Sequence, residues 1–465
     1  MRHFLWFIAL LGTICCSLSQ AFPPPKNLGD TNSYGYGIQR AMRLMAASTP
    51  EKRNTVKVLF YGQSITEQRW SNLVADDLKR RFPNANLIIE NRAIGGFASQ
   101  LLVKTAQSDL YPFYPDLLIF HVYGSHIEYE NIIKRVRERT TAEVLIQTDH
   151  ITKDDQLDEE TDPSKLTPKS WDAFMNHSFL PGTARKYGVE LLDQRSLWMH
   201  YLKDNHLHAA DLLKDGVHLN AHGEFLMAEF VKAHLRYDPK LANPKDEAMV
   251  RTVELGKEAA WKNGKLTMEF EGNRVDAVTA PGAAKTFKVL IDGRKPSEFS
   301  ELYGFTRTTA YPGSKWPCLL RVTSQKPLQI EEWTLSLTDY QDDMKHFKFA
   351  LEGSRTGLDG EGTSDKKFVS NSGRVVIDPA DWNFDYAMKV FKKPLPKNFK
   401  IQWKVVPYFQ DEFTSKAAKD RSIEQTVTLA QGLPNGHHTL QLSGADETGV
   451  TAIRVYRPPF GGSGK

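Results

Sequence analysis

From about residue 55 to residue 235 the chain alternates short apolar runs with amphipathic stretches. The apolar runs fall at 56–61, 86–90, 116–123, 143–147 and 189–192. Each is short and rich in Val, Ile, Leu or Phe, the texture of strands buried on both faces. Between them, 70–81 carries Leu73, Val74 and Leu78 at helical spacing, and 129–139 carries Ile132, Ile133 and Val136. A further helix is predicted over 225–235. Strands alternating with helices predict an α/β unit built on a parallel, doubly wound sheet. Ligands of such sheets bind beyond the carboxyl ends of the strands.

After residue 247 the pattern changes. Segments 285–292, 400–406 and 438–443 alternate apolar and polar residues with period two, and Gly, Pro and Asn separate them. Pro434-Asn435-Gly436 reads as a turn, and the polar, Gly-rich stretch 353–367 as a loop. This half is expected to be antiparallel, in the form of a β-sandwich. The Pro- and charge-rich stretch 237–247 is expected to be a linker. The predicted organisation is therefore a segment of special composition at 1–21, an N-terminal extension at 22–54, an α/β domain at 55–236, the linker at 237–247 and a β domain at 248–465.

Composition adds two constraints. Arg2 and His3 precede an apolar run from Phe4 to Cys16, and Ser19-Gln20-Ala21 offers a small-x-small cleavage site, so 1–21 is expected to be an export signal. The run is shorter than the ~20 residues of a spanning helix. A secreted or periplasmic protein with no stable membrane insertion is expected. Cys15 and Cys16 would leave with the signal and Cys318 would remain alone, so no internal disulfide is expected. The formal net charge of +4 is small for 465 residues, and basic and acidic residues are interleaved, which argues against a nucleic-acid partner. No CxxC, HExxH or calcium-loop pattern is present, so neither a metal nor another cofactor is implied.

The first strand runs directly into Gly62-Gln63-Ser64-Ile65-Thr66. A serine between a buried strand and a helix stands exposed at the carboxyl edge, where its own N–H can face a developing oxyanion. Its alternative role is a plain helix cap. Asp215-Gly216-Val217-His218-Leu219-Asn220 supplies an acid and an imidazole separated by two residues. On a tight turn that spacing lets the carboxylate orient the imidazole, which can then take the serine's proton. The alternative is a solvated loop acid beside a core histidine.

These blocks resemble those of the SGNH, or GDSL-like, hydrolases. Phe60 to Glu67 is similar to the family's first block, usually Gly-Asp-Ser, with Gln63 in place of the aspartate. Asn91-Arg92-Ala93-Ile94-Gly95-Gly96 is similar to the second, with Gly96 at the oxyanion glycine. Asp215 to Asn220, followed by Gly223, is similar to the last. The third block, usually Gly-x-Asn-Asp, reads Tyr123-Gly124-Ser125-His126, so Ser125 or His126 stands where the oxyanion asparagine is expected. The resemblance covers about 55–235. It implies a flavodoxin-like three-layer α/β/α sandwich and a metal-free serine esterase. The triad would be Ser64, Asp215 and His218, with Ser64, Gly96 and His126 (or Ser125) as oxyanion donors. By analogy with carbohydrate-active members, the expected substrate is an O-acylated, first of all O-acetylated, carbohydrate or polysaccharide.

Other residues at the same edge are candidates for substrate contact: Gln63, Tyr123, Asp149, His150 and Trp70. Asp149 and His150 have the alternative of a helix cap and a surface histidine. Trp70, Tyr123, Trp171 and Trp198 form either a sugar-stacking wall or core. Asp193 is expected to cap a helix, and the acidic run 154–162 to be a solvated loop. Two rival functions remain open at this stage. Glu67, Asp149 and Asp215 would allow glycoside hydrolysis by a carboxylate pair. A carbohydrate-binding protein with a decayed site is the other.

Overall fold

The computed structural model describes residues 22–461 except 281, 283, 341–343, 416–419 and 445–446. The expected signal, with Cys15 and Cys16, and the last four residues lie outside the described residues. Among the described residues no helix is long and apolar enough to cross a membrane.

In chain order the first half contains α1 (Gln39–Ala46), β1 (Thr55–Gly62), α2 (Ser64–Glu67), α3 (Trp70–Arg81), β2 (Asn86–Asn91), α4 (Ser99–Asp109), β3 (Leu117–His121), α5 (His126–Arg139), β4 (Glu143–Gln147), α6 (Trp171–Phe174), α7 (Leu180–Tyr187), β5 (Glu190–Leu192), α8 (Gln194–Asp204) and α9 (Ala221–His234). The strands form one parallel sheet in the order β2-β1-β3-β4-β5. Successive residues of a strand point to opposite faces, and both faces are covered. Val56, Val58 and Phe60 of β1 meet α1, α3, α8 and α9 in one core. Leu59 and Tyr61 meet α4, α5 and α7 in another. That double burial, complete along β3 and β4, explains why the inner strands read as unbroken apolar runs, while the edge strand β2 is only partly covered.

The segment 22–54 belongs to this unit. Ile38, Ala41, Met42 and Met45 are buried under the sheet, and Glu143 accepts the Arg40 and Ala41 N–H groups at 2.9 and 2.6 Å. The expected linker is likewise tied down: Arg43 binds Glu247 through Nε at 3.0 Å, and Arg137 lies 3.8 Å from Asp246. Charge at 237–247 marks ion pairing to the first half, and the stretch carries a short helix, Pro244–Glu247.

The second half holds two larger antiparallel sheets. One has six strands in the order Glu412–Thr414, Thr286–Ile291, Gln425–Gly444, Lys265–Thr279, Val450–Tyr456 and Val250–Glu254. The other has five, in the order Gly357–Thr363, Phe347–Gly353, Glu332–Tyr340, Lys400–Pro407 and Tyr303–Phe305. Their buried residues fall into separate clusters, which corrects the expected single sandwich. The six-stranded sheet has its own core around Phe287, Leu440 and Ile453. The five-stranded sheet shares a core with the α4–α5–α7 side of the parallel sheet. Two local readings are also corrected. Pro434-Asn435-Gly436 is a bulge inside a long strand, where pairing jumps from Gln431↔Arg274 to Gly436↔Gly272; Asn435 Nδ2 holds it through the Pro458 and Phe460 carbonyls. Gly357–Thr363 is an edge strand paired to Phe347–Gly353, because ladder hydrogen bonds need no apolar side chains.

Candidate active site

The end of β1 is shaped by the closeness of β3. A Cβ on Gly62 would stand 2.1 Å from the His121 carbonyl oxygen, so only glycine fits there. The chain then turns into the single-turn helix α2, with Ser64 as its first residue and Gln63 as its cap. Gln63 Oε1 accepts the Ile65 N–H at 3.3 Å, which assigns that atom as the oxygen. The other strand ends carry His121, Asp149 and Asp193 to the same edge.

His218 arrives from the opposite side of the cleft. Its loop is closed by the Lys214 N–H to His218 carbonyl bond and by a two-way clamp in which the Gln68 amide accepts the Leu219 N–H and donates to the Leu219 carbonyl. Asn220 then caps α9 by accepting the His222 and Gly223 N–H groups. The result is a continuous chain. Ser64 Oγ lies 2.9 Å from His218 Nε2, and His218 Nδ1 lies 3.0 Å from Asp215 Oδ2. The carboxylate beside Nδ1 favours the tautomer with hydrogen there, leaving Nε2 as an acceptor for the serine proton. Asp215 Oδ1 also accepts the N–H groups of His218 and Val217 at 2.7 and 2.9 Å. Those two bonds, more than the imidazole, hold its carboxyl down at about 2. Ser64 has a second acceptor, Gln63 Oε1 at 2.8 Å, so its single proton is shared between the glutamine and the histidine.

Over Ser64 passes the loop after β2. Asn91 anchors its base by donating to the Thr66 carbonyl and Ser71 Oγ. Its tip is Gly95-Gly96, and a Cβ on Gly95 would stand 3.4 Å from Ser64 Cβ. Gly96 has φ +81°, a left-handed conformation open to glycine. Of the other two donor candidates, the Ser125 side chain is employed elsewhere, whereas His126 keeps a buried Nε2 without a hydrogen-bond partner. Ser125 Oγ accepts the Glu128 N–H and caps α5. His126 packs against Trp171, Phe174 and Phe179, with burial lowering its pKa. Both line a hollow of about 440 Å³ with Gln100 and Ile127, in which neither Ser64 nor Gly96 takes part.

A second hollow of about 290 Å³ lies beside Gln63 and Ile65, the neighbours of Ser64, and is walled also by Tyr123, Asp149, His150 and Trp171 among others. Sequence reasoning missed His121, which lines it as well. His121 Nε2 is 3.3 Å from Asp149 Oδ1. Burial alone would push the Asp149 carboxyl up, but the His121 ring, then Arg195 and His150, outweigh it and hold it low. Buried and without hydrogen-bond partners are Gln63 Nε2, His121 Nδ1 and His150 Nδ1. Unsatisfied groups of this kind each cost about 1–3 kcal/mol when nothing binds them.

Trp70 and Trp198 are not part of this wall. Both are fully buried; Trp70 donates its Nε1–H to the Ile65 carbonyl at 2.6 Å. His150 is no surface residue: its Nε2 lies 2.8 Å from the carbonyl of Val217, the residue before His218. Asp193 caps α8 as expected. The acidic run is not wholly solvated, because Glu159 turns inward to buried Arg195, with an Nη2 contact at 2.7 Å. Despite its own burial, Arg195 and His177 bring its carboxyl down to about 2. The second half of the chain also reaches the site. Lys315 pairs with Glu67 at 3.1 Å, Trp316 Nε1 donates to the Gly95 carbonyl at 2.6 Å, and the Tyr386 hydroxyl donates to the Gly96 carbonyl at 3.2 Å. The only signal for these in the sequence is an aromatic residue in the polar loop Gly313-Ser314-Lys315-Trp316-Pro317.

No family model matches this chain, and no curated protein matches it. Among solved structures, it is similar to a two-domain esterase (CEX) active on acetylated mannans, co-crystallized with mannopentaose, at 13% identity and a TM-score of 0.35 over 92% of this chain and 97% of that one. It is similar to the acetyl xylan esterase AlAXEase at 21% identity and a TM-score of 0.32, over 38% of this chain and 98% of that one. It is also similar to Axe2, an acetylxylan esterase from Geobacillus stearothermophilus, at 16% identity and a TM-score of 0.33, over 42% of this chain and 100% of that one.

Proposed function

We propose that the chain is a secreted or periplasmic serine esterase of SGNH type, with a flavodoxin-like catalytic half, that removes acyl groups, acetyl first, from carbohydrate. The observation that carries this is the hydrogen-bonded chain Ser64–His218–Asp215 beneath a glycine loop whose Gly96 N–H has no hydrogen-bond partner among the described residues. Ser64 Oγ attacks the ester carbonyl carbon as its proton passes to His218 Nε2. Asp215 stabilises the imidazolium. The Ser64 and Gly96 N–H groups face the oxyanion. Collapse of the tetrahedral species breaks the ester bond, and His218 returns the proton to the departing sugar oxygen. Water then attacks the acyl-serine, with His218 again as base, and releases the carboxylic acid.

The adjoining hollow favours a hydroxylated substrate. Its unpartnered histidine and amide groups and the Asp149 carboxylate suit sugar hydroxyls, while the half-exposed rings of Tyr123 and Trp171 suit the apolar face of a sugar. The buried carboxylate disfavours an acidic sugar. Of the three carboxylates a glycosidase could use, Asp215 and Asp149 are held low, where that chemistry needs one raised, and Glu67 is paired with Lys315.

The test is acetate release from a panel of acetylated polysaccharides, comparing the wild type with Ser64→Ala. The wild type should release acetate and the variant should lose at least about 10³-fold in kcat with its thermal midpoint kept. Well-folded wild type that releases no acetate, or an active Ser64→Ala, overturns the proposal.

A further inference from the structure

The tip of the glycine loop is held by the two halves of the chain differently. The first half anchors only its base: the Ile94 N–H bonds the Gly62 carbonyl at 3.0 Å, and the Phe97 N–H turns back to the Ile94 carbonyl at 3.1 Å. The two tip carbonyls belong to the second half, through Trp316 Nε1 on Gly95 and the Tyr386 hydroxyl on Gly96. The first of these bonds has a geometric consequence. The Gly95 carbonyl and the Gly96 N–H share one planar trans peptide and point in opposite directions. Fixing the oxygen on the indole therefore fixes the N–H, and turns it away from Trp316.

The indole is itself rigidly placed. It is nearly buried, lies 5.1 Å from the Phe97 ring, 4.7 Å from Tyr386 and 4.8 Å from Phe391, and its backbone closes a turn with Tyr311 at 2.7 Å. Its ring also passes so close to the loop that a Cβ on Gly96 would stand 2.5 Å from it. The position of Gly96 is thus set by an approach from the other half of the molecule as well as by its own φ.

We infer that Trp316, with Tyr386 in support, is a positioning residue for the oxyanion donor: the β half holds the Gly95–Gly96 peptide so that the Gly96 N–H faces the oxygen of the ester attacked by Ser64. This rests on the esterase reading for its chemistry, but the holding of the loop stands on geometry alone. It assigns the loop between the strands Tyr303–Phe305 and Glu332–Tyr340, and the helix Phe384–Phe391, a part in the active site. Ser125 is employed as a helix cap and His126 lines a hollow that includes neither Ser64 nor Gly96, so the aim of the Gly96 donor counts for more.

The test uses the full mature chain. Trp316→Phe keeps a ring against Phe97, Tyr386 and Phe391 but removes the N–H. Loss of a whole oxyanion donor costs about 10²–10³-fold, so a donor that is present but free to rotate should cost about 10–100-fold in kcat on p-nitrophenyl acetate, with KM within about twofold. Tyr386→Phe, which loses a longer bond from an exposed residue, should cost less than about tenfold on the same grounds. Hydrogen exchange at the amides of residues 95–97 is read in parallel and should quicken in Trp316→Phe. An unchanged kcat with only a lowered thermal midpoint would mean that Trp316 merely packs the interface, and overturns the inference. If the wild type shows no Ser64-dependent turnover, the esterase reading falls. The exchange rates then decide whether the indole holds the loop, and equal rates in wild type and variant overturn that as well.

Discussion

His150 illustrates how a single buried ring ties stability to the site. Burial first, and then the neighbouring His121, push its pKa down to about 4 from an ordinary 6.5, so it is neutral at pH 7 and its Nε2 can donate to the Val217 carbonyl. An unfolded chain would take up a proton there below about pH 6.5, while the folded chain would not until about pH 4. Folding stability is therefore fully present above the unfolded value and is lost as the pH falls through that window. The loss from this residue alone should be about 3 kcal/mol. Urea unfolding at pH 7 and pH 4.5 checks this: the wild type should lose more stability on acidification than His150→Asn. Equal losses would show that His150 is not held neutral by the fold.

At the scale of elements, the loop from Asp215 to Asn220 is a small self-supporting device. Asp215 bonds the two N–H groups that follow it, Gln68 clamps Leu219 from α2's far end, and Asn220 stops the loop by starting α9. A Cβ on Gly223 would stand 2.3 Å from the Leu212 carbonyl oxygen, so α9 begins pressed against the end of the 3-10 turn Ala209–Leu212. Replacing Asn220 by Ala leaves the His222 and Gly223 N–H groups without their acceptor. A cap of this kind is worth about 1 kcal/mol. Calorimetry of Asn220→Ala should show a destabilisation of that size, and no measurable change would mean that water replaces the cap fully.

For the whole molecule, the second half is joined to the first at several places besides the contacts of Lys315, Trp316 and Tyr386, and two of these anchor its sheets. The six-stranded sheet meets the base of the parallel sheet, where the Tyr114 hydroxyl donates to Asn273 and Asn273 donates to the Arg139 carbonyl. The five-stranded sheet joins the α4 side, where Arg307 grips buried Asp109 through two bonds of 2.9 and 2.7 Å. Removing one partner of such a pair strands a buried charge, at a cost of about 3–5 kcal/mol when burial is complete. Arg307 is partly exposed, so Arg307→Ala should fall at or below the lower end of that range. Because one hydrophobic core runs through both halves, thermal unfolding should give a single transition that moves down as a unit in Arg307→Ala. Two separate transitions would show that the halves fold independently.

The five strands, the helices 70–81 and 129–139, and the closeness of Asp215 to His218 were legible in the chain itself. Burial on both faces leaves unbroken apolar runs, helices buried on one side leave a 3.6-residue period, and a turn such as 215–220 keeps its partners within a few residues. The helix Ser99–Asp109 escaped notice because the polar residues Ser99, Thr105 and Asp109 interrupt its buried face. Tertiary structure alone decided the rest. Asp149 and His121 meet because β3 and β4 are neighbours in the sheet, and Trp70 is core because α3 turns it inward. Trp316 reaches Gly95 across more than two hundred residues of chain, a distance over which no local period or spacing carries information. What a segment buries or caps is written locally, whereas which peptide an indole aligns is set only by how separately folded layers come to rest against one another.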